Sequence, residues 1–289
     1  MTLGRAIDVG DAAYPASLVR LTRPPRILYV DGSLAETERA VAIVGTRRAS
    51  PAALELARDM ARALAERGVV IVSGGAEGID RAAHEGALEA KRGRTIAVLP
   101  TALASPYPRS HVALFERIAG RGARLSEYDA TTRAHRAHFV ERNRIIAALS
   151  KVTVIVQAPV GSGALRTAVD AHKLGMPVCV VPWSPNEPLA AGGLDLLVRG
   201  ARVVRDAEDV LALLGEPREE KRAARSSRRA PKDADQQCLL ALLDETPLDR
   251  ETLVTRAELP TSRAQAALAR LVIDGHAHED AHGVRRIRT

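Results

Sequence analysis

One stretch constrains this chain more than any other: the glycine-rich turn Ser73-Gly74-Gly75-Ala76-Glu77-Gly78-Ile79-Asp80, set between the apolar run Val69–Val72 and an alanine-rich segment. A strand, a tight turn and a helix start is the reading that this order allows. Glycine lets the backbone approach a ligand closely, and a helix N-terminus carries partial positive charge, so the turn suits an anion such as phosphate. A related loop lies upstream, where Val41–Val44 runs into Gly45-Thr46-Arg47-Arg48. Ser50 and Pro51 then supply an N-cap and a first-turn proline. Two adjacent strand ends facing one ligand are expected.

Short apolar runs at 41–44, 69–72, 95–99, 123–125, 152–156 and 178–181 alternate with helical stretches, which predicts βαβ units and a parallel α/β sheet. In the first helix Leu54, Ala57, Ala61 and Leu64 share a face, and Gly68 marks its stop. Residues 1–40, with Tyr14-Pro15, Pro24-Pro25 and a short run at 27–30, read as an N-terminal arm leading to an edge strand. Residues 41–215 read as the sheet domain. Residues 216–232 hold 7 Lys and Arg against 3 Asp and Glu with no large apolar side chain, which predicts a flexible basic linker. From 233 to 289 the order is helix, helix, turn, helix and a two-stranded wing, the pattern of a winged helix-turn-helix module.

With 289 residues, 46% of them hydrophobic, the chain can build a real core. The two cysteines, Cys179 and Cys238, form neither a disulfide framework nor a metal pattern. No bilayer-length apolar run or signal-like start is present, so a cytoplasmic protein without membrane contact is expected. The net charge of +7 is uneven: residues 1–215 carry 28 Lys and Arg against 22 Asp and Glu, whereas 233–289 carry 7 against 10. A polyanion partner fits the front of the chain better than the back.

The densest basic stretch, Arg133 to Arg144, contains Arg136, Phe139, Arg142, Asn143 and Arg144. Arginine for phosphate and an aromatic ring for a base are the equipment of a single-strand groove. A third strand-end loop carries Ser162 and Gly163. The candidate nucleic-acid residues are therefore Gly45, Thr46 and Arg47; Ser73, Gly74, Gly75 and Gly78; Arg136, Phe139, Arg142, Asn143 and Arg144; and Ser162 and Gly163. The loops depart from the dinucleotide fingerprint and from the P-loop, which argues against a bound nucleotide cofactor. Glu77, Asp80, His84, Glu85 and Glu127 fall into no metal spacing and no nucleophile–base arrangement, so neither a catalytic group nor a metal site is expected.

Taken together, Gly45-Thr-Arg47, the turn 73–80 with His84, Thr95–Leu99, Tyr107-Pro108, Leu125-Ser-Glu127, Phe139-x-x-Arg142-Asn-Arg-Ile-Ile-Ala147 and Ser162-Gly-x-Leu-x-Thr-Ala168 occur in an order that resembles the DNA-processing protein A (DprA/Smf) family over about residues 10–215. The resemblance implies an extended Rossmann-like domain that binds and protects single-stranded DNA without catalysis, pairs as a homodimer, and loads RecA recombinase in natural transformation. The last module resembles the winged helix of such proteins. Pro100, His111, Gln157, Ala164 and Leu194 depart from the family pattern. Two other classes remain open. A nucleoside monophosphate phosphoribohydrolase on a similar fold would need catalytic acids after its glycine loop, where this chain has Ala168-Val169. A duplex-binding regulator would have to work through a winged module whose last helix offers only Arg263 and Arg270.

Overall fold

The computed structural model describes residues 4–34, 39–216, 233–243, 247–274, 276–280 and 283–286. Two compact units divide at Arg218. In the first, the strands are β1 (Arg5–Asp8), β2 (Ile27–Gly32), β3 (Ala40–Val44), β4 (Val70–Ser73), β5 (Thr95–Val98), β6 (Ala123–Ser126), β7 (Val152–Ile155), β8 (Val178–Val180) and β9 (Arg202–Val203). They form one sheet in the order β1-β2-β6-β5-β4-β3-β7-β8-β9. From β6 across to β9 every pairing is parallel. The helices are α1 (Ala16–Val19), α2 (Pro51–Glu66), α3 (Ile79–Glu89), α4 (Val112–Arg121), α5 (Arg136–Glu141), α6 (Asn143–Ala148), α7 (Gly163–Lys173), α8 (Ala191–Val198) and α9 (Ala207–Leu213).

Period-two burial explains why the run 41–44 lacks polar residues. Along β3, Ala40, Ala42 and Val44 enter one core layer, with Leu18 of α1, Ile145 and Ile146 of α6 and Ala168 of α7. Val41 and Ile43 point the other way, into a layer with Ala57, Ala61 and Leu64 of α2 and Ile79 and Ala83 of α3. A strand covered on both faces reads as a nearly continuous apolar run, which is the signature of a parallel sheet under helices. The start of α2 follows its sequence: the Ser50 side chain accepts from the Ala53 N–H at 3.3 Å, and Pro51 occupies the first turn.

The first 40 residues depart from the expected arm. β2 is internal, antiparallel to β6 on one side and to β1 on the other, so the edge strand is β1. Leu18, Leu28 and Val30 are buried, and the Tyr14 hydroxyl donates to Pro25 O at 2.7 Å. Antiparallel addition to β6 needs no helical crossover, so the sequence there lacks the βαβ rhythm that marks the rest.

The second unit contains α10 (Ala234–Leu242), α11 (Arg250–Arg256), α12 (Thr261–Ile273) and the hairpin β10 (Ala277–Asp280) and β11 (Gly283–Arg286). An isolated antiparallel bridge from Leu248 to Val284 ties the chain before α11 to this hairpin. Leu239, Leu253, Leu268, Leu271 and Val284 form its core. The expected basic linker lies, apart from Glu216, outside the described residues. Glu216 itself closes the first unit through ion pairs with Arg39 and Arg67.

Candidate nucleic-acid interface

The chain leaves β3 for β4 on one side of the sheet, while β7 pairs with β3 on the other. That reversal opens a crevice at the strand ends, where open α/β sheets place ligands. The three loops singled out in the sequence all end there. Gly45 to Arg48, Asp80, Phe139, Asn143 and Ser162 to Ala164 are among the residues lining a cleft of about 500 Å³. A smaller cleft of about 60 Å³ adjoins it, lined by Gly74, Glu77, Pro100 and Tyr107 together with Arg47, Phe139 and Arg142.

Phe139 lines both clefts, half-buried on α5. The exposed Arg47 guanidinium lies 5.2 Å from its ring centroid, a cation–π contact. Tyr107 meets the ring edge-on, with centroids 5.4 Å apart and planes at 86°. Tyr107 is 48% exposed, and its position beside Phe139 was not among the site residues read from the sequence. Its signals were rarity, as one of four tyrosines in the chain, and its place in the Tyr107-Pro108 motif. Arg136 is exposed at the first turn of α5, and Gly163 is exposed at the start of α7 behind the Ser162 N-cap.

The glycine turn does something other than present bare N–H groups. Gly74 N–H and Ala76 N–H both donate to Asp80 Oδ2, at 3.2 and 3.4 Å, so the turn already holds an anion from its own chain. Arg142 sits beneath it, 5% exposed, donating from Nη1 to Gly74 O at 2.7 Å and to Val98 O. A side chain at position 74 would collide with the Arg142 guanidinium, which gives that glycine its packing reason. Burial pushes the Asp80 carboxyl up against the downward pull of Arg142, and it holds the Arg142 guanidinium down to about 10. Ser73 is fully buried and donates to Ile43 O at 2.7 Å, and Gly75 is buried against Phe115. Ser73, Gly74, Gly75 and Arg142 therefore form the floor of the site and not its face.

Other candidates hold neighbouring loops together. Asn143 Nδ2 donates to Gly163 O at 3.0 Å, tying α6 to the start of α7, and Arg144 pairs with Glu127 at 2.6 Å. Gly78 has φ 78°, and Ile79 N–H donates to Thr46 O at 3.3 Å, which locks the first two loops together. Thr46 N–H in turn donates to Gln157 O at 2.7 Å. Gln157, buried at the end of β7, accepts from Ser50 N–H at 2.9 Å and donates to Ser50 Oγ at 3.2 Å, so one neutral amide fixes the helix cap beside the cleft. An amide can do both because it carries a donor and an acceptor; a carboxylate could only accept.

His84, fully buried on α3, has Nδ1 2.7 Å from Thr95 Oγ1. The Thr95 hydroxyl donates to Ile71 O, so Nδ1 of the imidazole must carry a proton and donate to Thr95 Oγ1. Burial, with His111 and Arg142 nearby, pushes its pKa down to about 3. His111 is buried as well, with Nδ1 3.0 Å from Gly75 O. Neither ring is placed to exchange protons with a ligand in the cleft. Among the described residues no group of three His, Cys, Asp or Glu side chains could hold a metal ion, and no helix is long and apolar enough to cross a membrane.

Comparison with known proteins agrees with this architecture. The family model for DNA recombination-mediator protein A matches residues 5–215, and that for the DprA winged helix domain matches residues 222–281. The putative DNA processing protein DprA of Mycobacterium tuberculosis is 44% identical over 177 residues, covering 61% of this chain and 45% of the relative. The chain spans about half the length of the first such relatives. Among solved structures, DNA processing protein A from Streptococcus pneumoniae aligns with a TM-score of 0.69 at 35% identity, covering 72% of this chain and 74% of that one. DNA processing protein A from Helicobacter pylori, whose structure is described for its unique single-stranded DNA binding mode, aligns with a TM-score of 0.65 at 34% identity, covering 74% of this chain and 98% of that one. The parallel sheet with its crevice of glycine loops, the winged unit after it and these matches lead to one assignment: the chain belongs to the DNA recombination-mediator protein A (DprA/Smf) family.

Proposed function

We propose that this protein binds single-stranded DNA along the crevice at the ends of β3, β4 and β7, without catalysing a reaction, and passes it to a RecA-type recombinase during the uptake or recombination of DNA. One observation carries this reading: an exposed cation, Arg47, and two aromatic rings, Phe139 and Tyr107, stand together at the junction of two clefts. Aromatic faces accept any base, and an arginine fork accepts a phosphate, so the pair recognises a flexible strand and not a duplex with stacked, inaccessible bases. The Helicobacter pylori relative supports the same ligand class.

A non-enzymatic role fits the carboxylates. Asp80 accepts from two backbone N–H groups and lies in the field of Arg142, and Glu127 is paired with Arg144. Against a phosphoribohydrolase, Ala168 and Val169 follow the 161–167 loop where catalytic acids would be needed. The duplex-regulator reading is weakened because Arg263 on α12 is engaged by both oxygens of Asp235, at 2.8 Å each. The homodimer belongs to this proposal too. The late edge of the sheet is its candidate surface: Val203 on β9 is 54% exposed and Val198 on α8 is 89% exposed, whereas Val180 on β8 is 2% exposed and belongs to the core.

A titration with a single strand, a blunt duplex and a mononucleotide at two salt concentrations tests the reading. Single strands should bind tightest, with affinity falling steeply as salt rises. Equal affinity for the duplex, or insensitivity to salt, would end it.

A further inference from the structure

A second cleft, of about 490 Å³, lies beside the Phe139 crevice and shares Val140 with it. Its walls come from the loop after α1, from α5 and α6, and from α7. α7 serves both clefts, with Ala164 and Thr167 lining the first and Arg166, Asp170 and Lys173 lining the second. Val140 is 45% exposed between them.

The second cleft is basic. Arg20, Arg23, Arg144, Arg166 and Lys173 line it against two carboxylates, Glu141 and Asp170. Asp170 is drawn to Arg166 at 3.6 Å, and Glu141 accepts from the Tyr128 hydroxyl at 3.3 Å. Arg20 commits one nitrogen to Leu174 O at 3.0 Å. Arg23 and Lys173, both exposed, have no ion-pair partner among the described residues. No aromatic side chain lines this cleft. It is equipped for phosphates and unequipped for bases.

From these features we infer that a single strand held at Phe139 continues over Val140 into this cleft, where its sugar–phosphate backbone is gripped by Arg23, Lys173 and Arg166 while its bases face solvent. The inference rests on the proposed single-strand site, because continuity with that site is what makes a nucleic-acid backbone the occupant and not some other polyanion. Binding in this segment depends on length and salt and is indifferent to base identity.

The test uses the full chain, since Arg23→Ala/Lys173→Ala removes two exposed charges that hold no other part of the fold in place. Oligonucleotides of about 5 and about 15 nucleotides bracket the sizes that single-strand grooves occupy. For the long strand the double variant should flatten the dependence of log affinity on log salt by about 1.4, roughly 0.7 for each phosphate deprived of its cation. The short strand should bind as to wild type, which also shows that the variant is folded. A long strand with abasic sites at one end should keep its affinity when that end lies in the second cleft. Arg47→Ala is run in parallel. If Arg47→Ala weakens both strands while the double variant changes neither, the extension is wrong and the Phe139 site stands. Equal weakening of short and long strands by the double variant overturns the extension as well, because the two cations would then act only as a diffuse field. If Arg47→Ala changes nothing, the single-strand reading itself fails.

Discussion

In the sheet unit the charges that shape the site are inside, whereas in the winged unit they are on the surface. Asp80 and Arg142 lie buried under the glycine turn, and Arg124 pairs with Asp31 at 3% side-chain exposure. In the winged unit Arg263 with Asp235, Arg250 with Glu279 and Arg285 with Asp280 all leave the arginine about half exposed or more. Exposed pairs contribute little and tolerate change, whereas a buried charge that loses its partner is costly. The difference shows where each unit keeps its specificity: the first uses buried polar groups to hold three loops in one geometry, and the second needs only its small apolar core.

The hardest test of that contrast is Arg142→Ala. It strands the Asp80 carboxylate and two carbonyls, so it should destabilise the sheet unit by about 3–5 kcal/mol. Calorimetry should show that loss in one transition while the transition of the winged unit stays in place. A variant as stable as wild type would mean that the buried network is dispensable.

Next in size is an acid effect. His84 has a folded pKa of about 3 against an ordinary 6.5, because burial disfavours its charged form. The unfolded chain takes up the proton as pH falls below 6.5, and the fold does not until near 3. This contribution to stability is therefore complete above 6.5 and lost on acidification, by up to about 1.4 kcal/mol per pH unit. Melting temperatures of wild type and His84→Leu across this window isolate it, since Asp80, pushed up by burial, acts with the opposite sign. Parallel curves would show that His84 makes no such contribution.

Binding separates the units further. Phe139→Ala should cost roughly 1–3 kcal/mol of single-strand affinity with the salt dependence preserved. Arg47→Ala should instead flatten that dependence by about 0.7. If both variants lose the same slope, Phe139 is not stacking on a base. The smallest effect expected is that of removing 233–289, which should leave most of the affinity in place. A collapse on that deletion, but not on removing 217–232, would transfer the site to the winged unit.

Much of this was legible before any coordinates. The six apolar runs became β3 to β8 within a residue or two at their ends, because two-sided burial writes itself into composition. That Arg47 and Phe139 belong to one cleft was legible because a rare aromatic among arginines stands out. The roles of Ser73, Gly74, Gly75 and Arg142 were not: a glycine that admits a ligand and a glycine that admits a guanidinium from 68 residues away look alike in one dimension. Nor could residues 5–32 disclose that two of their segments extend a sheet whose strand partner begins at Ala123, since pairing across that distance leaves no local periodicity.

On the proposed single-strand reading, the Arg47–Phe139 contact has a consequence for the empty site. An aromatic ring must stand near solvent to receive a base, and Tyr107, Val140 and Val160 stand exposed around the same mouth. Such a patch invites other apolar surfaces in a crowded cell. By resting its guanidinium over the ring, Arg47 keeps a hydrated charge at the opening of the cleft. The waiting site is thereby less adhesive toward the wrong molecules, and the cover is one that a phosphate can draw aside.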